Sequence, residues 1–146
     1  MKKIYFPLFL TLFSCCSSGN IDYQVIEEAK IEYPDAFIQW QTLLAQECSS
    51  YYVYVFAYDC YYCNESKRKV ICFYEHSEIP VYFCEYTKEI PIGHNTMKTI
   101  GSNNLEDIFI RGTPSLLYIT DGCISFNVSG KQEVFEMIDL QLKNEL

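Results

Sequence analysis

Positive charge is scarce in this sequence. Its 146 residues contain 11 Lys and Arg against 19 Asp and Glu, a formal net charge of −8. Such an acidic chain has little attraction to a phosphate backbone, so we expect no nucleic-acid partner. Repeats and low-complexity stretches are also missing. With 49% hydrophobic and 16% aromatic residues, the composition predicts one folded domain with a substantial core.

An apolar run long enough for a comfortable transmembrane helix is missing as well. The N-terminus instead has Met-Lys-Lys followed by a short apolar stretch, which predicts a secretion signal over residues 1–14. Leu12-Phe13-Ser14-Cys15 resembles the lipobox of bacterial lipoproteins, which implies lipidation of Cys15. Cys16 is an alternative lipidation site, and an ordinary cleaved signal peptide is an alternative to the lipoprotein.

The leader sets the predicted organisation of the chain. After the signal, residues 15–33 form a lipid-anchored tether and lead-in, and residues 34–146 form the folded domain. Both kinds of leader place this domain outside the cytosol, where disulfides persist, and the eight cysteines suit that location. The expected localisation is extracytoplasmic, on the cell membrane through the lipid.

Residues 51–74 carry the main functional signal. Tyr51 to Ala57 is an apolar and aromatic run without Gly or Pro, which favours a strand buried on both faces. Cys60-Tyr61-Tyr62-Cys63 follows, and the period then becomes helical, with Asp59 as the expected N-cap. A sulfur at a helix N-terminus favours the thiolate that attacks disulfides. We therefore predict Cys60 as the nucleophile and Cys63 as the resolving thiol.

Two alternatives to a redox pair stay open. The first is that the C-x-x-C is half of a zinc site, although the sequence has no second C-x-x-C or H-x-x-x-H. The second is that the two cysteines form a structural disulfide. His76 and His94 lie in polar stretches and are expected at the surface, so we predict no metal and no cofactor. The other cysteines with apolar neighbours are expected to be buried free thiols, or else to form one extra disulfide; they are Cys48, Cys72, Cys84 and Cys123.

The remaining elements follow from periodicity and turn signals. Residues 21–32 have no clear assignment. A helix is predicted from Pro34, with an apolar stripe through Phe37, Trp40, Leu44 and Cys48. Next along the chain we predict a strand over 79–86 parallel to the first, a loop over 88–101 and a short helix capped by Asn103. A strand is then predicted after Pro114, followed by a hairpin at Asp121-Gly122. The last elements are a strand over 123–128, with Ile124, Phe126 and Val128 on one face, and a final helix.

This order of elements resembles the thioredoxin fold from about Pro34 to the C-terminus. The specific parts are the C-Y-Y-C after a strand, Gly112-Thr113-Pro114 before a strand, and the Asp-Gly hairpin. More narrowly, the chain resembles small thioredoxin-like lipoproteins of Gram-positive-type bacteria and Mollicutes. The implied fold class is α/β, with a central mixed β-sheet flanked by helices and the C-x-x-C at a helix N-terminus.

The resemblance also implies how substrate is held. The matching proline of the family is cis and packs beside the two sulfurs, which assigns that role to Pro114. Thr113 would offer backbone groups to an extended substrate segment, with Tyr61 and Tyr62 beside it. Where thioredoxins have Trp before the first cysteine and Gly-Pro between the two, this chain has Asp59 and the two tyrosines.

The predicted function is thiol–disulfide exchange by a monomer. Its expected partners are the thiols and disulfides of exported proteins, together with a membrane redox partner. One alternative is a non-catalytic accessory or binding subunit of a transporter. A second is a small protein disulfide isomerase of the endoplasmic reticulum, because Lys143-Asn144-Glu145-Leu146 resembles a retention signal.

Overall fold

The computed structural model describes residues 25–144, which fold around one mixed five-stranded sheet. Its strands are β1 (Phe37–Ile38), β2 (Ser50–Phe56), β3 (Val81–Glu85), β4 (Ser115–Thr120) and β5 (Cys123–Ser129). Its helices are α1 (Val25–Glu32), α2 (Tyr61–His76) and α3 (Lys131–Asn144). The sheet order is β1-β3-β2-β4-β5; β3 runs parallel to β1 and β2, and β4 runs antiparallel to β2 and β5.

Strand β2 is the centre of the sheet, and it coincides with the predicted strand to within one residue at each end. Six of its residues, from Tyr51 to Phe56, are buried. Because side chains alternate along a strand, Tyr52, Tyr54 and Phe56 join the core on one face of the sheet while Val53 and its odd-numbered neighbours join the core on the other. A strand buried on both sides gives the redox motif that follows it a rigid support.

The two faces of the sheet are covered differently. All three helices contribute to one core, through residues such as Ile26, Phe73 and Ile138. The other core is closed by irregular segments that supply Trp40 and Ile90, among others. Within residues 25–144, no helix has the length and apolar character needed to cross a membrane.

The predicted fold class is confirmed by this topology. The chain has a thioredoxin-like fold, in which a mixed sheet is flanked by helices and the Cys60–Cys63 pair lies at the start of α2. The strand after the redox helix is parallel to β2, and the last two strands form an antiparallel hairpin at Asp121-Gly122, both as predicted. The unassigned residues 21–32 include α1; Cys15 and Cys16 lie outside the described residues.

The helix predicted from Pro34 is wrong. Only a 3₁₀ turn forms at Pro34–Ala36, after which β1 pairs with β3 and a second 3₁₀ turn follows at Trp40–Thr42. The physical reason is that the apolar stripe serves two cores. Phe37 stacks on Phe83 at 4.9 Å between ring centroids, on the helical side of the sheet, whereas Trp40 is buried on the opposite side. A segment that crosses the sheet edge meets both cores without being helical.

Two smaller predictions are also corrected. Ile124 does not share a face with Phe126 and Val128, because a β-bulge opposite Tyr118 and Ile119 shifts the register and sends Ile124 to the other core. The short helix predicted after residue 103 is a 3₁₀ turn at Leu105–Asp107. Its N-cap is Asn104 rather than Asn103, and the Asn104 side chain accepts a hydrogen bond from the Glu106 amide at 3.2 Å.

Candidate functional site

The Cys60–Cys63 pair forms a disulfide at the point where β2 leads into α2. The Cα atoms of the two cysteines are 5.2 Å apart. The N-cap of α2 is Cys60, not Asp59 as predicted: the backbone of Cys60 is extended, and its sulfur accepts a hydrogen bond from the Cys63 amide at 3.1 Å. Asp59 is exposed in the preceding turn. The Cys60 sulfur is therefore at the N-terminus of α2, where N–H groups that lack a partner within the helix stabilise negative charge.

The two sulfurs differ in their access to solvent. Cys63 is fully buried, whereas Cys60 is half-buried. The Cys60 sulfur lies 3.4 Å from the carbonyl oxygen of Thr113. A substrate can therefore approach the Cys60 sulfur beside the Thr113 backbone, while the Cys63 sulfur is shielded from solvent and can be contacted only by other groups of the protein.

A cis peptide bond joins Thr113 to Pro114 next to this sulfur. Pro114 is buried, and its carbonyl oxygen accepts a hydrogen bond from the Gly130 amide at 2.8 Å. Thr113 is half-buried. The loop predicted to hold substrate is therefore adjacent to Cys60. The hydrogen bond from Gly130 connects this loop to the residue just before α3.

A hydrogen-bond network that is buried at its two serines and open to solvent at Arg111 and Glu133 fixes the shape of that loop. The Ser115 hydroxyl donates to the Gly112 carbonyl at 2.5 Å and lies 2.5 Å from the Ser129 hydroxyl. Arg111 donates from its guanidinium to the Ser129 carbonyl at 2.5 Å and to the Glu133 carboxylate at 2.8 Å. These four side chains carry no recognisable signal in the sequence, because their partners come from separate segments of the chain.

The two tyrosines between the cysteines form an exposed aromatic surface. Tyr61 is 61% exposed and Tyr62 is 56% exposed, and their rings meet edge to face at 5.4 Å between centroids. The Tyr61 hydroxyl donates to the Glu65 carboxylate at 3.2 Å, and the negative charge of Glu65 raises the pKa of Tyr61. Glu65 in turn pairs with Lys131 at 3.0 Å, which ties this surface to α3.

An open groove of about 840 Å³ begins at Tyr62 and runs between α2 and α3. Phe135 forms part of its lining, with the Lys69 ammonium 4.6 Å from the ring centroid. The charges of the groove are largely paired, as in the bridge between Lys69 and Asp139 at 2.7 Å. Of the four residues predicted to bind substrate, only Tyr62 lines this groove; Tyr61, Thr113 and Pro114 lie outside its lining.

The remaining cysteines do not all match the expectation of buried free thiols. Cys48, Cys84 and Cys123 are free, but only Cys84 is fully buried. Cys72 takes part in a disulfide, so the prediction of a free thiol there is wrong. His76 and His94 are exposed, as predicted. Within residues 25–144, no group of three or more His, Cys, Asp or Glu side chains is arranged to hold a metal ion.

Comparisons with known proteins give structural similarities only. No family model matches the sequence, and no similar sequence is found among curated proteins. The structure is similar to a point mutant of thioredoxin from Halobacterium salinarum NRC-1, with 17% identity over 73% of this chain and 87% of that chain and a TM-score of 0.49. It is also similar to the short form of thioredoxin f from spinach chloroplast, with 14% identity over 72% of this chain and 92% of that chain and a TM-score of 0.48. The fold assignment stands on the chain's own strand order and on its C-x-x-C at a helix start.

Proposed function

We propose that this protein is a thiol–disulfide oxidoreductase acting on exported proteins, with Cys60 as the nucleophile and Cys63 as the resolving thiol. The observation that carries the proposal is the unequal exposure of the pair: Cys60 is reachable from solvent and Cys63 is fully buried. A structural disulfide has no need of such asymmetry. An exchange reaction does, because the substrate must meet one sulfur first.

The chemistry begins from the reduced protein. The Cys60 thiolate attacks one sulfur of a substrate disulfide, the substrate S–S bond breaks, and the released substrate thiolate takes up a proton. The Cys63 thiolate then attacks the Cys60 sulfur of the mixed disulfide and releases the second substrate thiol. Two electrons pass from the protein dithiol to the substrate, and the protein is left with the Cys60–Cys63 disulfide. The reverse sequence oxidises a substrate dithiol, and the reduction potentials of the two pairs set the direction.

The position of Cys60 favours the first attack. Its sulfur accepts a hydrogen bond from the Cys63 amide at the N-terminus of α2, and this environment stabilises the thiolate form of Cys60. An extended substrate segment can pair with the backbone of Thr113, whose carbonyl lies 3.4 Å from the sulfur. Because the contacts are mainly to backbone, we expect broad specificity, with the exposed rings of Tyr61 and Tyr62 favouring substrates that have apolar neighbours beside the cysteine.

Two measurements test this function. The first is a titration of the purified protein in graded glutathione buffers, with alkylation and mass spectrometry reporting the pair; we expect a reversible couple between about −120 and −270 mV. A pair still bonded below about −300 mV would indicate a structural bridge. The second uses the variant C63A, which should accumulate mixed disulfides through Cys60, with C60A as the matched control that accumulates none. An accessory subunit would trap nothing in either variant.

We also propose that the domain is anchored outside the cell membrane by a lipid on Cys15, where it would meet a membrane redox partner. The support is the lipobox-like sequence that ends at Cys15. In a bacterial host that processes lipoproteins, the full chain should incorporate labelled fatty acid and fractionate with membranes. C15S should lose both properties, and C16S should keep them. Labelling that is lost in C16S and kept in C15S would move the anchor to Cys16.

A further inference from the structure

Tyr54 presents a buried polar atom that the exchange mechanism has not used. It lies in the middle of β2 with no exposed surface, and among the described residues no hydrogen bond of normal geometry reaches its hydroxyl. The Ser66 hydroxyl is near enough to interact with it, but Ser66 donates its own proton to the Tyr62 carbonyl. Buried hydroxyls without a partner are rare, because each loses its bonds to water and gains none in return. The other two buried tyrosines of this strand each have a partner: the Tyr51 hydroxyl donates to the Leu43 carbonyl at 2.8 Å, and the Tyr52 hydroxyl donates to the side-chain oxygen of Gln141 at 3.0 Å.

The topology places the Tyr54 hydroxyl beneath the first turns of the redox helix. Because α2 connects two parallel strands, it runs antiparallel to β2. The Tyr52 ring meets Phe73, in the second half of α2, at 5.0 Å between centroids. Tyr54 is two residues closer to the end of β2, so it faces an earlier part of α2. It belongs to the same core as Cys63, and its polar neighbour there is Ser66, one helical turn beyond that cysteine.

The surroundings of Cys63 lack a carboxylate. The buried polar or charged side chains of the described residues are Ser66, Lys67, Thr99, Ser115, Asn127 and Ser129. Ser66 already donates its proton to the Tyr62 carbonyl at 2.6 Å. When the disulfide opens, the fully buried Cys63 sulfur leaves as a thiolate and then takes up a proton, and both forms are better hydrogen-bond acceptors than a disulfide sulfur. Lys67 shares the buried face of α2, and across from it β2 offers the unpaired hydroxyl of Tyr54.

We propose that the Tyr54 hydroxyl donates a hydrogen bond to the Cys63 sulfur when the pair is reduced, and that disulfide formation leaves this donor unpaired. The inference rests on the proposed function, because it needs a pair that cycles. Reduction of the disulfide takes two electrons and two protons from the thiol buffer, and Tyr54 keeps its own proton throughout. Tyr54 thereby stabilises the dithiol form relative to the disulfide and makes the pair a stronger oxidant.

The protonation of Tyr54 supports a donor role. Burial raises the pKa of the Tyr54 phenol well above its ordinary value of about 10, and Ser66 lowers it only in part. The phenol therefore remains protonated across the physiological range. It cannot act as a base for Cys63, but it is available as a donor at every pH at which the protein works.

The test compares two variants on one strand. Y54F removes only the hydroxyl in question, and Y51F removes a paired hydroxyl from the opposite face of β2. In glutathione buffers, we expect Y54F to shift the equilibrium about tenfold towards the disulfide, equivalent to about 30 mV more negative, and Y51F to leave it unchanged. In denaturant titrations, Y54F should keep or raise the stability of the oxidised protein and lower that of the reduced protein, whereas Y51F should lower both.

The outcomes separate this inference from the function it rests on. A wild-type pair without a reversible couple would overturn both. A normal wild-type couple with Y54F within twofold of wild type would overturn only the role of Tyr54. A purely structural role is overturned if Y54F lowers the stability of the reduced protein without lowering that of the oxidised protein, because a loss of packing alone would lower both.

Discussion

The loop before β4 offers a quantitative test of how the site is held. The Ser115 hydroxyl is fully buried and holds together the Gly112 carbonyl and the Ser129 hydroxyl, each at 2.5 Å. S115A removes both contacts without disturbing the backbone. Gly112 loses this donor, and the Ser129 oxygen keeps only the Arg111 amide at 3.2 Å. The strand itself should remain, because Ala is smaller than Ser and requires no change in the backbone.

We expect S115A to lower the free energy of unfolding, because the Gly112 carbonyl and the Ser129 hydroxyl stay buried with fewer hydrogen-bond partners. Leaving one such group unsatisfied costs about 1–3 kcal/mol, so we expect S115A to lower the free energy of unfolding by about 2 kcal/mol. For a domain of this size, 1 kcal/mol corresponds to a shift in Tm of about 4 °C, which gives a decrease of about 8 °C. Because Thr113 lies within the loosened loop, the KM for a protein disulfide should also rise.

The assay is urea unfolding of the oxidised protein, followed through the fluorescence of the only tryptophan, Trp40, which is buried. S125A is the matched control, because Ser125 is exposed on the neighbouring strand β5 and its loss should change stability by less than about 0.5 kcal/mol. The reasoning would be refuted if S115A were as mild as S125A. In that case the hydroxyl network would not be what stabilises the loop.

Two further predictions concern the cores. F83A should cost about 3–5 kcal/mol in urea unfolding, because Phe83 is fully buried and stacks on Phe37; a loss below about 1 kcal/mol would contradict this packing. Burial also raises the pKa of the Cys84 thiol to about 12, so native Cys84 should resist alkylation at pH 8 and react once the chain is unfolded. The stability gained by keeping this thiol protonated is complete below its unfolded pKa of about 8.5 and is lost as the pH rises towards 12. The free energy of unfolding of C84A should therefore decline less steeply at alkaline pH than that of the wild type. An equal decline in both proteins would contradict a raised pKa for Cys84.

The parts of the fold that the sequence predicts well are those in which a single pattern of burial holds over the whole segment. Residues 51–57 are apolar at every position because β2 is buried on both faces, so the strand is recognisable from composition alone. The helical period after Cys63 and the apolar stripe of α3 likewise each face one core. Local sequence was sufficient there because local and tertiary preferences agree.

Prediction failed where a segment changes environment. Phe37 and Trp40 have helical spacing, yet they enter different cores, and only the position of the sheet edge reveals this. The bulge that separates Ile124 from Phe126 depends on the partner strand β4, so the alternation along β5 alone misses it. In the site, Asp59 is the better N-cap by residue preference, but the extended backbone of Cys60 and its contact with the Cys63 amide give that role to Cys60.

The outer margins of the sheet have a consequence for solubility. A free strand edge can pair with other chains and so promote aggregation. Here β1 is only two residues long, and the far side of β5 is occupied near Ile124, which bonds with Gly101 at 2.7 Å and Ser102 at 3.0 Å. Other polypeptide chains therefore find little free edge on which to nucleate aggregates.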